Sequence, residues 1–329
     1  MEKDSGVALY DIFNGDADGI CALHQLRLGQ PREGRLVTGV KRDVGLVARV
    51  PAASGDELTV LDVSFAENRD AVLAALNAGA HCLYFDHHFP GDIPHHPGLE
   101  AHIAHRPGVC TSLIVDEYLG ARFRAWAVVA AFGDNLPVQA EQAAKPLALS
   151  AQQLVLLREL GECMNYNAYG DSVEDLYFHP ADLYRRLKPF TDPSEFATRD
   201  TAFEILREGY GKDSAQAARI VPTLDTPSHY LVILPDTPWA RRVHGPVANR
   251  LAAAHPQRAH AVLVKRGLSY RASVRAPTAR PVGAEDLCCR FPTGGGRPEA
   301  AGIDALPVTH LGQFRTAFES AFVPSATGP

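Results

Sequence analysis

The sequence predicts an α/β protein: a doubly wound, mostly parallel sheet domain with a helical connector and a second, smaller α/β domain. Apolar runs of strand length alternate with helical patterns up to about residue 135. Helical periodicity then dominates from about residue 150 to 210, and a second strand and helix pattern begins near His229. Buried strands that alternate with helices are typical of parallel sheets covered on both faces.

The first part shows four strand-and-helix repeats. Strands are predicted at residues 7–13, 35–40, 58–63 and 81–85, and helices at residues 19–28, 67–77, 111–118 and 124–132. Thr111 or Ser112 is the predicted N-cap of the third helix. The clearest helical patterns of the middle part are at residues 152–160, 180–187 and 202–208.

The last part contains predicted strands at residues 229–234, 259–265 and 269–275, with helices at residues 240–254 and 310–322. A chain of 329 residues exceeds the size at which single cores stop growing, so two domains are expected. The predicted limits are residues 1–190 for the first domain with its helical segment, 191–227 for a helical linker, 228–323 for the second domain and 324–329 for a flexible tail.

Composition is that of an ordinary soluble protein, with 46% hydrophobic and 21% charged residues. No apolar run is long enough to span a membrane, and the first residues, Met1 to Asp4, do not resemble a signal peptide. The six cysteines lack CxxC spacing, which favours reduced thiols and a cytoplasmic location.

Charge is divided unevenly along the chain. Residues 228–300 hold eleven Arg and Lys against four Asp and Glu, a net of +7, so the remainder of this chain of net charge -6 carries -13. An acidic part suited to cations thus precedes a basic part suited to phosphates. The overall negative charge argues against tight binding to long duplex nucleic acid, which requires many phosphate contacts.

An acidic loop follows the first predicted strand, in the sequence Asn14-Gly-Asp16-Ala-Asp18-Gly. Carboxylates at this point lie at the carboxyl end of a sheet strand, where open α/β folds bind ligands, and they suit hard metal ions. An EF-hand is excluded because its twelfth loop position would be Gln25, where a Glu is required. A solvated Asp-Gly turn stays open as an alternative for the loop alone.

Further candidate ligands follow other apolar segments. Asp62 ends the third predicted strand, and the fourth runs into Asp86-His87-His88. These histidines supply imidazole ligands, and Asp86 is a carboxylate able to orient one ring. Asp134 lies just beyond a helical apolar run. Similar strand ends thus repeatedly carry the side chains that bind metal ions.

The basic part ends in a glycine-rich motif, Gly294-Gly295-Gly296-Arg297-Pro298. Three glycines allow backbone to approach an anion closely, and Arg297 matches phosphate oxygens. Pro298 suits the first turn of a helix whose N–H groups would face that anion. Arg271 and Arg275 share one face of the strand at residues 269–275. A polar outer sheet face beside a flexible loop is the alternative.

The order and type of these motifs resemble the DHH phosphoesterase superfamily, in the subgroup with a GGGH-type second domain, which includes RecJ-like exonucleases and NrnA-like oligoribonucleases and nucleotide phosphatases. The resemblance implies that Asp16, Asp18, Asp62, His87 and Asp134 are metal ligands, with Asp62 bridging two ions. It implies that His88 faces the scissile phosphate. It also implies that Gly294, Gly295, Gly296, Arg297 and Arg275 belong to the substrate-binding surface. Arg271 is a further candidate because it shares a strand face with Arg275.

Three positions depart from the family pattern. Ile12 stands where many members have a His, and Asn14 stands where RecJ-like members have an additional Asp. One metal would therefore have fewer anionic ligands. Arg297 replaces the His of GGGH, which keeps phosphate binding but excludes proton transfer near neutral pH.

The resemblance implies a hydrolase that cleaves phosphoester bonds of short oligonucleotides or nucleotides by a two-metal mechanism, with Asp62 and His88 as catalytic residues. Two Mn²⁺ ions are the expected cofactors, with Mg²⁺ or Co²⁺ as substitutes. The expected partner is a short single-stranded oligonucleotide or a nucleotide, no membrane is involved, and a homodimer is one state the sequence allows. Two alternatives stay open: an inorganic pyrophosphatase or polyphosphatase, and a nucleotide-binding regulatory protein with a degenerate metal site.

Overall fold

The computed structural model describes residues 7–323, and the chain divides into two units, residues 1–209 and 210–329. The division falls within the predicted linker, residues 191–227. The start of the chain and the predicted flexible tail, residues 324–329, lie outside the described residues. The domain limits derived from the sequence stay a prediction.

A five-stranded sheet, parallel throughout, forms the centre of the first unit, in the order β2-β1-β3-β4-β5. The strands are β1 (Leu9–Phe13), β2 (Arg35–Val37), β3 (Glu57–Leu61), β4 (His81–Asp86) and β5 (Leu99–Ile103). β1 and β3 are buried at four of their five positions each, which explains their continuous apolar pattern. The chain winds outward from β1 in both directions, so the predicted doubly wound α/β fold is confirmed.

β5 is not among the strands that the sequence predicts. This strand lies at the edge of the sheet and pairs only with β4. Its residues are half-buried or exposed, and Glu100 and His102 interrupt the apolar pattern that marks the other strands. An edge strand of mixed polarity gives too weak a periodic signal to be predicted alone.

The described part of the first unit contains eight α-helices, and a ninth extends from it into the second unit. They are α1 (Ala17–Gly29), α2 (Phe65–Asn77), α3 (Thr111–Tyr118), α4 (Arg124–Gly133), α5 (Pro137–Ala144), α6 (Ala151–Ala168), α7 (Pro180–Leu187), α8 (Pro193–Arg199) and α9 (Thr201–Ala218). α4 packs against both α1 and α6. A Cβ on Gly133 would lie 2.5 Å from Cβ of Ala17 and 2.8 Å from the carbonyl oxygen of Gly161. This close approach brings the end of α4 to the start of α1.

The second unit has a six-stranded mixed sheet in the order β10-β11-β9-β8-β7-β6, in which only β7 and β8 are parallel. Its strands are β6 (Leu224–Asp225), β7 (His229–Leu234), β8 (Ala259–Arg266), β9 (Ser269–Arg275), β10 (Gly294–Gly296) and β11 (Ala300–Pro307). Its helices are α10 (Pro238–Ala254), α11 (Ala284–Cys288) and α12 (Leu311–Ala321). Phe314 and Phe318 of α12 complete an apolar core with side chains of β8, β9 and β11.

Two further features of the structure concern membrane-spanning helices and the cysteines. Within residues 7–323, no helix has both the length and the apolar character needed to cross a bilayer. All six cysteines are free, and five of them are buried.

Candidate active site

The acidic and imidazole side chains singled out in the sequence lie at one edge of the first sheet. Asp16 follows β1, Asp62 follows β3 and His87 follows β4. The winding direction reverses between β1 and β3, and open α/β sheets bind ligands at the carboxyl ends of strands at such a point. Asp134 joins the cluster from the end of α4.

Side chains of the loop after β1 organise its backbone. Asn14 Oδ1 accepts the N–H of Asp16 at 3.2 Å, and Asp16 Oδ1 accepts the N–H groups of Asp18 and Gly19 at 2.9 and 3.1 Å. Asp16 is therefore the N-cap of α1. A Cβ on Gly19 would lie 2.2 Å from the carbonyl oxygen of Asn14, so only glycine fits there.

Asp18 accepts the first free N–H groups of α3. Thr111 and Ser112 donate their backbone N–H groups to separate oxygens of Asp18, each at 2.7 Å. The prediction that Thr111 or Ser112 is the N-cap is wrong, because Cys110 holds that position without a side-chain bond. The two hydroxyls donate instead to Asp62 and to the carbonyl of Asp18. A carboxylate from a distant loop has thus taken over the capping role.

Asp62 has a left-handed backbone conformation, with φ of 59°. For a non-glycine residue this costs about 1–2 kcal/mol, and such strain is concentrated at functional sites. Its N–H donates to the carbonyl of Phe85 at 3.0 Å, and the Thr111 hydroxyl donates to its carboxylate at 3.1 Å. His87 Nε2 lies 3.4 Å from the same carboxylate oxygen. The strain therefore aims this carboxylate at His87.

The two histidines after β4 are oriented by different partners. His87 Nδ1 donates to the carbonyl of Val109 at 2.9 Å, which leaves Nε2 as its free ligand atom. His88 Nδ1 donates to Asp86 at 2.7 Å. Asp86 is fully buried and also accepts the N–H groups of His87, His88 and Phe65. It therefore fixes the turn that presents both rings.

Two groups of side chains could hold a metal ion. The ligand atoms of Asp18, His87 and Asp134 lie within 4.8 Å of one another, and so do those of Asp62, His87 and His88. Mixed carboxylate and imidazole ligands suit a first-row divalent ion such as Mn²⁺. The donor set therefore fits a divalent cation, whose charge would offset the repulsion among these carboxylates.

The electrostatics of the cluster support this fit. Burial and the charges of Asp18 and Asp16 raise the pKa of Asp62 well above its usual value. Burial also raises the pKa of Asp134, despite the opposing effect of Lys41. Burial lowers the pKa of His87, but the bond and charge of Asp62 outweigh it and bring that pKa to about 10. The cluster thus favours an added positive charge.

Lys41 is a member of the cluster that the sequence analysis missed. Its ammonium group forms an ion pair with Asp16, lies 3.6 Å from Asp134 Oδ1 and donates to Asn165 Oδ1 at 3.3 Å. Burial lowers the pKa of Lys41, but the charge of Asp16 outweighs this and raises it well above 10.5. The same pair holds the pKa of Asp16 below 3.8 against the effect of burial.

The residues predicted to bind phosphate lie on the second sheet. Arg271 and Arg275 are both on β9, and Arg275 Nε donates to Asn249 of α10 at 2.7 Å. Arg275 pairs with Ala300 of β11, and Ala300 closes a turn with Arg297. Ala300 therefore has Arg275 of β9 on one side and Arg297 of the turn on the other.

The glycine motif is not followed by a helix, so that prediction is wrong. Gly294–Gly296 form β10, and Arg297 and Ala300 exchange backbone hydrogen bonds of 2.9 and 3.1 Å across a hairpin turn that contains Pro298. Pro298 has a fixed φ that suits both a turn and the start of a helix. Antiparallel pairing of β10 with β11 requires a turn here, so the turn forms. No helix N-terminus is available at this motif in the described residues.

No protein-family model and no curated protein matches the sequence. Solved structures with a similar fold include exonuclease RecJ bound to manganese, with a TM-score of 0.59, 17% identity and coverage of 98% of this chain and 91% of that one. The DHH domain of a member of the s1p family of ribosomal proteins has a TM-score of 0.59 at 14% identity, covering 95% and 86% of the two chains. The pGpG-specific phosphodiesterase PggH from Vibrio cholerae has a TM-score of 0.55 at 14% identity, covering 95% and 99%.

The fold of this chain is similar to that of these structures, RecJ and the DHH domain included. The first unit of this chain brings together Asp18, Asp62, His87, His88 and Asp134, whereas the second oxygen of Asp16 faces Lys41.

Asn14 serves the backbone of the same loop. It accepts the N–H of Asp16 and donates Nδ2 to the carbonyl of Lys41 at 3.2 Å. Ile12 is fully buried in the apolar core beside the sheet. Of these two positions, Asn14 is the one that contacts Lys41, and Ile12 belongs to the apolar core.

Proposed function

We propose that this protein is a metal-dependent phosphoesterase that hydrolyses phosphoester bonds in short oligonucleotides or nucleotides. The observation that carries the proposal is the convergence of Asp18, Asp62, His87 and Asp134 where the winding of the first sheet reverses. Two proteins of similar fold support the reaction class, since one is an exonuclease and another is a pGpG-specific phosphodiesterase.

Each side chain of the cluster has a distinct proposed role. A bound divalent cation supplies Lewis acidity to a phosphoryl oxygen and activates water for attack. Asp18, His87 and Asp134 would hold this ion, and Asp62 would add a further carboxylate beside His87. Asp86 engages Nδ1 of His88, so Nε2 of this partly exposed ring is left for a phosphoryl or leaving-group oxygen.

The proposed cofactor is Mn²⁺, with Mg²⁺ or Co²⁺ as substitutes. The donor set is the first reason, because carboxylates and one imidazole nitrogen suit these ions better than a thiolate-preferring metal. The RecJ structure of similar fold contains manganese. We keep the cytoplasm as the proposed location because all six cysteines are free thiols.

The second unit is proposed to bind the phosphates of the substrate through Arg271, Arg275, Arg297 and β10. Arg275 and Arg297 both lie opposite Ala300, and a Cβ on Gly295 would meet no atom of its own unit within 4 Å. Gly295 therefore has no packing reason to lack a side chain, which is consistent with close approach of a ligand. A short substrate suits the net charge of -6, which disfavours long nucleic acids.

The test is an activity screen of the purified 329-residue chain loaded with Mn²⁺. Dinucleotides, short single-stranded RNA and DNA, 3′-phosphoadenosine 5′-phosphate and pyrophosphate are incubated with it, and products are separated by ion-exchange chromatography. Release of mononucleotides or nucleosides is the expected result. If every nucleotide substrate stays intact, the proposal is wrong, and cleavage of pyrophosphate alone would favour the pyrophosphatase alternative.

Matched variants connect the activity to the cluster. Asp18→Asn should abolish both Mn²⁺ binding and turnover, because it removes a ligand charge. Asp70→Asn removes a carboxylate whose side chain is 99% exposed and should change neither. His88→Gln should retain Mn²⁺ but lower kcat by about 10²-fold, the usual contribution of a positioned proton donor. A regulatory binding protein would instead show nucleotide affinity that Asp18→Asn leaves unchanged.

A further inference from the structure

We propose that the Lys41 ammonium takes the place of one of the two metal ions, so that the cluster binds a single divalent cation. The inference rests on the proposed function only in assuming that a metal ion is bound. It departs from the two-ion mechanism that the family resemblance implies. Three independent features of the cluster lead to it.

The first feature is that the ligand groups compete for one atom. Both candidate groups, Asp18 with His87 and Asp134 and Asp62 with His87 and His88, include His87. Its Nδ1 donates to the carbonyl of Val109, so only Nε2 can bind a metal. One imidazole nitrogen binds one ion, and therefore these two groups describe alternative positions of a single ion rather than two ions bound together.

The second feature is that Asp16 already has a cationic partner, the ammonium group of Lys41. One of its oxygens accepts the N–H groups of Asp18 and Gly19, and the other forms the ion pair with Lys41. Asp16 belongs to neither candidate ligand group. A divalent ion on Asp16 would lie against the ammonium, and like charges at contact distance repel strongly in a site of low dielectric constant.

The third feature is that Lys41 is held in place from both directions. Its backbone N–H donates to the carbonyl of Ala168 at 3.0 Å, and its carbonyl accepts from Asn14 at 3.2 Å. The ammonium donates to Asn165 at 3.3 Å, and its side chain is only 27% exposed. α6 and the loop after β1 therefore form a cradle that directs this cation at Asp16.

Two positions at which the family pattern would supply ligands for a second ion do not supply them here. Ile12 is fully buried and apolar. Both polar atoms of the Asn14 side chain are bonded, one to the N–H of Asp16 and one to the carbonyl of Lys41. Two positions from which the family pattern would supply ligands thus pack the core or support Lys41. The resulting centre has one exchangeable divalent ion and one fixed monovalent cation.

The test counts bound ions without relying on activity. The full chain is stripped with a chelator and titrated with Mn²⁺, and free ion is followed by its six-line electron paramagnetic resonance signal together with calorimetry. We expect one ion per chain and no exchange-coupled Mn²⁺ pair signal. Asp18→Asn should lower this stoichiometry from one to zero.

Three variants test the role of the charge. Lys41→Met removes the ammonium but retains the aliphatic stem and should lower kcat by about 10²-fold, as expected for a lost electrostatic group. Lys41→Arg should recover part of that loss. Lys188→Ala removes a lysine whose partner is the exposed Glu33 and should match the wild type in both stoichiometry and rate.

The possible stoichiometries of the wild-type protein separate the two proposals. Two tightly bound, coupled ions would overturn the single-ion inference and leave the proposed function intact. No bound ion would overturn both. One ion together with an unchanged kcat in Lys41→Met would also overturn the inference, because the ammonium would then not act in place of a metal.

Discussion

At the scale of single residues, Asp62 shows how the site is held together. The backbone at this position is left-handed, and its carboxylate lies between the Thr111 hydroxyl and His87. A buried carboxylate among other carboxylates is costly without a cation. The conformation of Asp62 at the end of β3 therefore lowers local stability but places one of its carboxylate oxygens beside His87.

Asp62→Asn should stabilise the metal-free protein while weakening its response to metal. Burial and the charges of Asp18 and Asp16 raise the pKa of Asp62 above its unfolded value of 3.8. The folded state thus binds the proton of Asp62 more tightly than the unfolded state does. Ionisation of Asp62 therefore lowers the free energy of unfolding, increasingly as the pH rises from 3.8 towards the pKa of the folded state. Asn removes the charge and tolerates a left-handed backbone.

Differential scanning fluorimetry at pH 7 with and without Mn²⁺ measures both effects. Without metal, the Tm of Asp62→Asn should exceed that of the wild type by about 2–4 °C for each kcal/mol gained. With Mn²⁺, the wild type should gain more than the variant. A lower Tm of the metal-free variant would show that the carboxylate stabilises the fold instead.

At the scale of elements, strands with a continuous apolar pattern were predictable and caps were not. The bounds of β7 and β9 are those predicted, because the sequence pattern that marks a strand lies in consecutive residues. The carboxylate that accepts the first free N–H groups of α3 belongs to Asp18, more than ninety residues earlier in the chain, and no local pattern contains that contact. Lys41 escaped prediction for the same reason, since its partners Asp16 and Asn165 are distant in sequence.

The glycines of β10 offer a prediction at this scale, because they lack side chains for different reasons. A Cβ on Gly294 would lie 1.9 Å from the carbonyl oxygen of Cys288, and Gly296 has φ of 146° with Ala301 Cα at 2.5 Å. A Cβ on Gly295 meets no atom of its own unit within 4 Å. Gly295→Ala should therefore fold normally, whereas Gly294→Ala should destabilise the second unit by more than 1 kcal/mol.

Function separates Gly295 from an ordinary exposed glycine. If β10 approaches the substrate, Gly295→Ala should raise KM for a dinucleotide about tenfold, with unchanged Mn²⁺ affinity and unchanged Tm. Gly312→Ala is a matched control, since a Cβ there also meets no atom within 4 Å in the described residues. An unchanged KM for Gly295→Ala would argue against a substrate contact at β10.

At the scale of the whole molecule, the two units divide the charges of the chain. The cluster of carboxylates that could hold a metal ion belongs to the first unit, and Arg271, Arg275 and Arg297 belong to the second. This division matches the uneven charge distribution of the sequence. A centre with one ion and one lysine would carry less positive charge than a two-ion centre, so it would attract the phosphates of a substrate less strongly.

Each unit also contains a buried histidine whose pKa is lowered to about 4. His24 in α1 donates Nε2–H to the carbonyl of Phe190 at 2.8 Å, and its ring meets the edge of Trp126. Burial lowers the pKa of His24 to about 4, against the opposing effect of the Phe190 bond. Burial, followed by the charge of Arg258, lowers the pKa of His260 in β8 to about 4 as well.

Acidification below pH 6.5 should therefore destabilise both units through these histidines. Between pH 6.5 and about 4 the unfolded chain binds a proton at each histidine that the folded chain does not, so the free energy of unfolding falls as the pH falls. The loss should approach about 3 kcal/mol for each buried histidine near pH 4. His24→Gln keeps a donor for Phe190 but cannot titrate, so its first unit should lose less stability over this range.

Urea unfolding at pH 7, 6 and 5 tests this in a Trp239→Phe background, in which Trp126 fluorescence reports on the first unit alone. The unfolding free energy of the background protein should fall steeply as the pH is lowered from 7 to 5. The unfolding free energy of His24→Gln should fall less over the same range. His95→Gln, a change at an exposed loop histidine, should follow the background curve. Parallel curves for His24→Gln and the background would show that His24 does not cause the acid sensitivity of the first unit.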